Sequence, residues 1–88
     1  MTNIYFISDG TAIKIGRSKH PKKRKGQLQT SNSNELKLIY ILENVESYIE
    51  KEIHQTCKLY HIQGEWFDKD VLDFLLGLEF YREHFKQI

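Results

Sequence analysis

Two short apolar runs near the start of the chain predict a β-hairpin. Residues 4–7 (IYFI) and 12–15 (AIKI) are rich in β-branched and aromatic side chains, and Asp9-Gly10 between them favours a two-residue turn. That turn would place Tyr5 directly opposite Lys14. The alternation also puts four apolar side chains together on the core face: Ile4, Phe6, Ile13 and Ile15.

The spacing after this hairpin predicts a helix. Pro21 is suited to a first helical position, and the helix is expected to run to about Gln29. Pro21, Arg24 and Leu28 recur on one side of it, which predicts that Arg24 faces inward. The three lysines of this segment are expected to face water: Lys22, Lys23 and Lys25.

The rest of the chain predicts one more strand and two helices. Residues 36–42 alternate as a third strand, Asn44 is suited to cap a helix over 45–59, and Asp68 to cap a final helix over 68–88. We therefore expect a single domain over residues 1–88 of the α/β (α+β) class. Its small, three-stranded, mostly antiparallel sheet would be flanked by helices.

Composition narrows the class of protein. No run of about 18 apolar residues is present, so no membrane span is expected, and the first residues do not read as a signal peptide. Cys57 is the only cysteine, so an internal disulfide is not possible. These features together predict an intracellular protein.

Positive charge is concentrated at one end of a nearly neutral chain. Residues 1–30 carry seven Lys or Arg and one Asp, whereas residues 31–88 carry six Lys or Arg and eleven Asp or Glu. A local basic cluster of this kind is typical of contact with a polyanion. The predicted nucleic-acid contacts are Arg17, Lys19, Lys22, Lys23 and Lys25.

Two groups of side chains on the 45–59 segment suggest metal chemistry. Glu50 and His54 fall one helical turn apart, on one shoulder of the apolar stripe. His54, Cys57 and His61 are zinc-ligand types along one side, but no fourth ligand lies nearby in sequence. We therefore expect no zinc site here, and we take His54 as a neighbour that orients Glu50 or is oriented by it.

Four short motifs in order resemble the GIY-YIG nuclease superfamily, in particular its phage-type branch. They are IYF at 4–6, KIG at 14–16 followed by an arginine ten residues after Lys14, the IEKEIH stretch at 49–54, and GEWF at 64–67. The similarity covers about residues 4–67. It departs from the family at Asn3, where the first motif has glycine, and at Lys14, where many members have a second tyrosine.

The resemblance implies a GIY-YIG-like fold and hydrolysis of a DNA phosphodiester bond with one bound Mg²⁺ or Mn²⁺. Tyr5 would be the tyrosine of the first motif, Arg24 the helix arginine and Glu50 the metal-binding glutamate. Such chemistry needs a proton acceptor, a cation for the phosphate charge and a hard oxygen ligand. Lys14 would either lower the pKa of Tyr5 or contact the scissile phosphate.

Two other functions fit the same residues. The chain could be a nucleic-acid-binding or regulatory module that keeps the fold without the chemistry, or an adaptor that binds proteins through its acidic C-terminal helix. As a nuclease it would have low sequence specificity, because phosphate contacts carry no sequence information. A homodimer or an accessory partner would then have to supply specificity.

Overall fold

The computed structural model describes residues 1–88 as one sheet with helices on both faces. Six antiparallel strands lie in the order β4-β5-β2-β1-β3-β6. The strands are β1 (Thr2–Ser8), β2 (Ala12–Ser18), β3 (Lys37–Val45), β4 (His61–Gln63), β5 (Trp66–Asp68) and β6 (Lys86–Gln87). The helices are α1 (Pro21–Gln29), α2 (Tyr48–Thr56), α3 (Val71–Leu76) and α4 (Glu79–His84), with a 3₁₀ turn over Lys58–Tyr60.

The sheet is larger than the three strands expected. The expected strands are its centre, β2-β1-β3, and the additional ones are only two or three residues long. In strands this short, apolar and polar positions do not alternate often enough to be recognised in the sequence. β4 and β5 form a hairpin around Gly64, whose positive φ of 55° suits glycine.

The first hairpin is formed, but its expected register is wrong by two residues. Tyr5 lies opposite Gly16, and Lys14 lies opposite Ile7. The cause is the turn, in which Asp9 Oδ1 accepts hydrogen bonds from the backbone N–H groups of Thr11 and Ala12 at 2.9 and 2.8 Å. This side-chain turn takes up four residues instead of two. Because side chains alternate, a shift of two preserves both faces.

The two faces of the sheet carry separate apolar clusters. The four residues expected on the core face are buried together, against Ile53 and Cys57 at α2 and against Val71 and Leu75 of α3. Tyr5 and Ile7 lie on the opposite face with Leu36, and Leu28 of α1 packs against them. Tyr5 therefore projects from the side of the sheet that α1 covers.

The helix boundaries differ from expectation for α2 and for the C-terminal helix. α1 is confirmed, but α2 begins at Tyr48 because Asn44 belongs to β3, with a positive φ of 53° and its N–H bound to Asn3 Oδ1 at 3.0 Å. The expected C-terminal helix over 68–88 is wrong in its ends and its continuity. Asp68 belongs to β5 and does not cap it, residues 86–87 form β6, and the helical part is divided at Gly77 and Leu78 into α3 and α4. None of the four helices has the length and apolar character required to cross a bilayer.

Candidate active site

The hydroxyl of Tyr5 lies over Gly16 of the neighbouring strand. Tyr5 is only 2% exposed, and a Cβ atom placed on Gly16 would overlap the hydroxyl oxygen and lie 2.5 Å from Cζ. The pairing of β5 with β2 covers Ala12–Lys14 and stops before Gly16. A glycine here therefore makes room for the tyrosine ring next to an open sheet edge.

Burial and charge together set the pKa of Tyr5. Burial raises the pKa of the phenol above its ordinary value, and the negative charges of Glu65 and Glu50 add to that rise. The guanidinium of Arg24 opposes them and lowers the pKa. Arg24 is thus the main cation that favours the phenolate, and Lys14 is not among the main influences on this pKa.

Lys14 is held by a different pair of residues. Its Nζ lies 3.3 Å from Glu65 Oε1 and 5.4 Å from the centroid of the Trp66 ring, and its side chain is 15% exposed. A carboxylate and an aromatic face are both attractive to an ammonium group. Lys14 shares the sheet face of Tyr5 and has a fixed position there.

Arg24 lies on the flank of α1, and the expectation that it faces inward is wrong. Pro21 is buried and Leu28 is half-buried as expected, but Lys25 is half-buried whereas Arg24 is exposed. Lys25 follows Pro21 by one turn, so it shares the packed side of the helix. Arg24 still reaches Tyr5 from the flank, where its Nη1 also lies 3.5 Å from Gln27 Oε1.

Glu50 projects from α2 into a largely buried position. Its Oε1 lies 3.6 Å from Arg17 Nε, and its Oε2 lies 3.9 Å from His54 Nε2. Oε2 is fully buried and has no hydrogen-bond partner. A buried carboxylate oxygen without a donor is costly, and a cation is one ligand that would compensate it.

Glu65 is a site residue that sequence reasoning missed. Its backbone carbonyl accepts the Ile15 N–H at 2.9 Å, which fixes it beside the strand. Its Oε1 would lie 2.9 Å from a Cβ on Gly16 and is the atom that contacts Lys14. The only sequence signal was its place in the GEWF motif.

The carboxyl groups of Glu50 and Glu65 influence each other. Burial raises the pKa of Glu50 above its ordinary value, and the nearby carboxylate of Glu65 raises it further. His54 and Arg17 act in the opposite direction. The site therefore contains two close carboxyl groups whose negative charge is only partly balanced.

His54 is oriented by the sheet. Its Nε2 lies 2.9 Å from the Ile15 carbonyl oxygen, so this nitrogen carries the hydrogen and donates it. The ring packs edge-on against Phe67 at a centroid distance of 4.9 Å. The Nε2 hydrogen is thus used by the Ile15 carbonyl, and the ring lies 3.9 Å from Glu50 Oε2 without a hydrogen bond to it, so His54 is a neighbour of Glu50 held in place by the sheet.

The other two residues of the possible zinc motif have separate surroundings. Cys57 is buried in the core, where burial raises the pKa of its thiol to about 11. A ring nitrogen of His61 lies 2.8 Å from the Gly64 carbonyl oxygen, within the β4-β5 hairpin. Both residues are accounted for by local structure.

A family model gives this arrangement a context. The model of the T5orf172 domain matches residues 2–83, nearly the whole chain. The chain belongs to the T5orf172 domain family. This phage-associated domain is related to the GIY-YIG nuclease-like fold, and membership suggests a nuclease-like role. No curated protein and no solved structure matched the chain.

An open cleft of about 570 Å³ in this T5orf172 domain exposes the glutamate pair. Its walls include both glutamates, Arg17 and three residues of α2: Tyr48, Lys51 and Gln55. The protein has no group of three His, Cys, Asp or Glu side chains that could hold a metal alone. Mg²⁺ is commonly bound through one or two carboxylates, waters and substrate phosphates, and the glutamate pair fits that mode.

The basic cluster of this T5orf172 domain lies along the end of β2 and on α1. Arg17 is half exposed and paired with Glu50. The four lysines of the cluster have no acidic partner within 4 Å: Lys19, Lys22, Lys23 and Lys25. Cations without acidic partners are suited to phosphate contacts, although these lysines line cavities next to β3 and β6 and not the cleft of the glutamate pair.

Proposed function

We propose that this T5orf172 domain is a metal-dependent DNA endonuclease of the GIY-YIG type, with Tyr5, Arg24 and Glu50 at its centre. One observation carries the proposal. Glu50 Oε2 is buried without a donor beside a second carboxyl group, within electrostatic reach of the phenol of Tyr5. A bound cation would compensate this carboxylate oxygen and hold a phosphate next to the phenol.

Glu50, supported by Glu65, would hold Mg²⁺ or Mn²⁺. The ion would supply positive charge to the phosphate and to the departing 3′-oxygen. Arg17 forms an ion pair with the same carboxylate and neutralises part of its charge in the free protein. His54, whose ring is held by the Ile15 carbonyl, would form the wall of the site 3.9 Å from the Glu50 carboxylate.

Tyr5 would take the proton from the attacking water. Its raised pKa keeps the phenol protonated in the free protein at neutral pH. Two of the influences that raise this pKa are the charges of Glu65 and Glu50, and neutralising them leaves Arg24 as the main charge near the hydroxyl. The base would thus become effective when the glutamate pair is neutralised.

Lys14 would contact the phosphate. It is held by Glu65 and Trp66 on the sheet face of Tyr5, which suits a fixed cation opposite developing negative charge. In this assignment Glu65 is a positioning residue for Lys14 as well as a neighbour of Glu50. Arg24 would bind a second phosphate oxygen.

The lysines of α1 and the preceding turn would bind the DNA backbone on either side of the cut. Their lack of acidic partners leaves their charge available to phosphates. Contacts of this kind do not read sequence. Sequence specificity would then require a homodimer or an accessory protein.

A DNA-binding module without catalysis is the second candidate. It is favoured by Lys14 in place of a second tyrosine and by the raised pKa of Tyr5. Incubating supercoiled plasmid with the protein and Mg²⁺, Mn²⁺ or chelator separates the two functions. We expect nicked or linear DNA only with the ion. Retarded but intact plasmid would support the second candidate, and neither effect would refute both.

A further inference from the structure

Tyr48 differs from the other aromatic residues of the chain. It is 58% exposed, whereas the other four tyrosines are buried or half-buried. Its ring has no aromatic neighbour. Phe80, which is similarly exposed at 51%, stacks on His84 at 4.5 Å. Tyr48 thus offers an unpaired aromatic face to solvent.

The position of Tyr48 links it to the glutamate pair. It lines the same cleft as Glu50 and Glu65, at the N-terminal end of α2. Lys51 and Gln55 follow it along the exposed side of the helix and line the same cleft. Neither Tyr48 nor Lys51 makes a hydrogen bond or ion pair with a protein side chain. An aromatic ring, a free ammonium and an amide therefore stand side by side.

We propose that Tyr48, Lys51 and Gln55 form a subsite for one unpaired nucleotide adjacent to the bond that is cut. The base would stack on Tyr48, Lys51 would meet the phosphate of that nucleotide, and the Gln55 amide would reach the edge of the base. An aromatic face with a nearby cation is the usual device for binding single-stranded nucleic acid. The cleft contains two cations, Arg17 and Lys51, and two carboxylates, Glu50 and Glu65. Arg17 is paired with Glu50, whereas Lys51 has no acidic partner, so a ligand that brings its own phosphate would pair with Lys51 and an apolar peptide would not.

This subsite deepens the proposed nuclease function by naming the class of substrate. A base inside a duplex is stacked on both sides and is not free to lie on a tyrosine, so it must be unpaired or extruded first. DNA with a single-stranded segment, such as a flap, gap or loop, supplies such a base directly. The preferred substrate is therefore DNA with unpaired nucleotides next to the cut.

Binding measurements in chelator test the subsite without requiring cleavage. Fluorescence anisotropy would compare a labelled thymidine oligonucleotide with a blunt hairpin duplex that carries the same number of phosphates. Tyr48→Ala should weaken single-strand binding about 5- to 150-fold, the equivalent of one base–aromatic stack, with little effect on the duplex. Tyr48→Phe should bind as the wild type does, because it keeps the ring.

The control and the substrate series make the result specific. Phe80→Ala removes an equally exposed ring outside the cleft and should leave both affinities unchanged. Replacing single nucleotides by abasic spacers should reveal one position where loss of the base weakens the wild type but not Tyr48→Ala.

The possible failures are distinguishable. Equal single-strand affinity of Tyr48→Ala and the wild type would overturn the subsite and leave the nuclease proposal intact. An equal weakening for single strand and duplex would also overturn it, because it would indicate a general contact. Absence of any DNA binding by the wild type would overturn both proposals.

Discussion

Replacing Gly16 by alanine is expected to destabilise the protein and to displace Tyr5. The added methyl group would overlap the Tyr5 hydroxyl and approach Cζ to 2.5 Å and Glu65 Oε1 to 2.9 Å. The Glu65 side chain is 40% exposed and can move aside. The Tyr5 ring is 2% exposed and packs in the cluster with Ile7 and Leu36, so the cost of the substitution arises there.

The size of the effect follows from overpacking of a buried ring. Such substitutions cost about 1–3 kcal/mol, and a rigid neighbour favours the upper half of that range. For a domain of this size each kcal/mol corresponds to a shift of about 4–8 °C in Tm, so a cost of about 2 kcal/mol lowers Tm by about 8–16 °C. Tyr5→Phe should not relieve the cost, because Cζ remains. Tyr5→Leu should, because leucine lacks the atoms that overlap.

Urea unfolding followed by circular dichroism would measure these free energies, with Gly26→Ala as the matched control. A Cβ on Gly26 meets nothing within 4 Å, and Gly26 lies inside α1. Alanine there should stabilise the protein by about 0.5–1 kcal/mol. The proposed packing of Tyr5 over Gly16 is refuted if Gly16→Ala is neutral, or if its cost is the same in the Tyr5→Leu background.

Three further changes have defined outcomes. Glu50→Gln should raise the free energy of unfolding at neutral pH but not in acid. The pKa of Glu50 is raised in the folded protein, so this carboxyl group contributes stability below the ordinary glutamate pKa and loses it as pH rises through the pKa of the folded state. Urea titrations at several pH values that show a constant difference between variant and wild type would contradict this. Replacing three lysines of α1 by alanine (Lys22, Lys23 and Lys25) should weaken binding to all DNA sequences alike. The slope of log affinity against log salt concentration should fall by about one unit for each phosphate that the variant no longer binds. An unchanged slope in anisotropy titrations would show that these lysines are only solvated. Lys14→Met should lower the rate of plasmid cleavage without moving its pH profile, while a profile shifted towards alkaline pH would assign Lys14 to the ionisation of Tyr5.

Local patterns predicted the central sheet and its two faces well. Alternation identified the four residues of β1 and β2 in the larger core cluster, and Pro21 marked the start of α1, but the burial of Tyr5 and Ile7 in a second cluster on the opposite face was not predicted. The register was missed because Asp9 bonds to the backbone two and three residues ahead, and this bond competes with the two-residue turn. The error did not alter the faces, so the placement of Tyr5 and Lys14 on one side remained correct.

Other features depend on contacts that a linear pattern does not contain. Asn44 belongs to β3 and does not cap α2, and its N–H bonds to Asn3, 41 residues away in sequence. The central place of Glu65 depends on pairing of its backbone with Ile15 across the sheet. Both are tertiary effects that override local propensity.

Cleavage of supercoiled plasmid by Glu50→Ala and Glu52→Ala, each with Mn²⁺, tests the central claim most directly. Both variants lose one carboxylate from α2, but Glu52 is exposed and does not line the cleft of the glutamate pair. We predict that Glu50→Ala loses ion-dependent nicking and still binds DNA, while Glu52→Ala retains both activities. Nicking by Glu50→Ala at the wild-type rate, or its loss in Glu52→Ala alone, would contradict the assignment of Glu50 as the metal ligand.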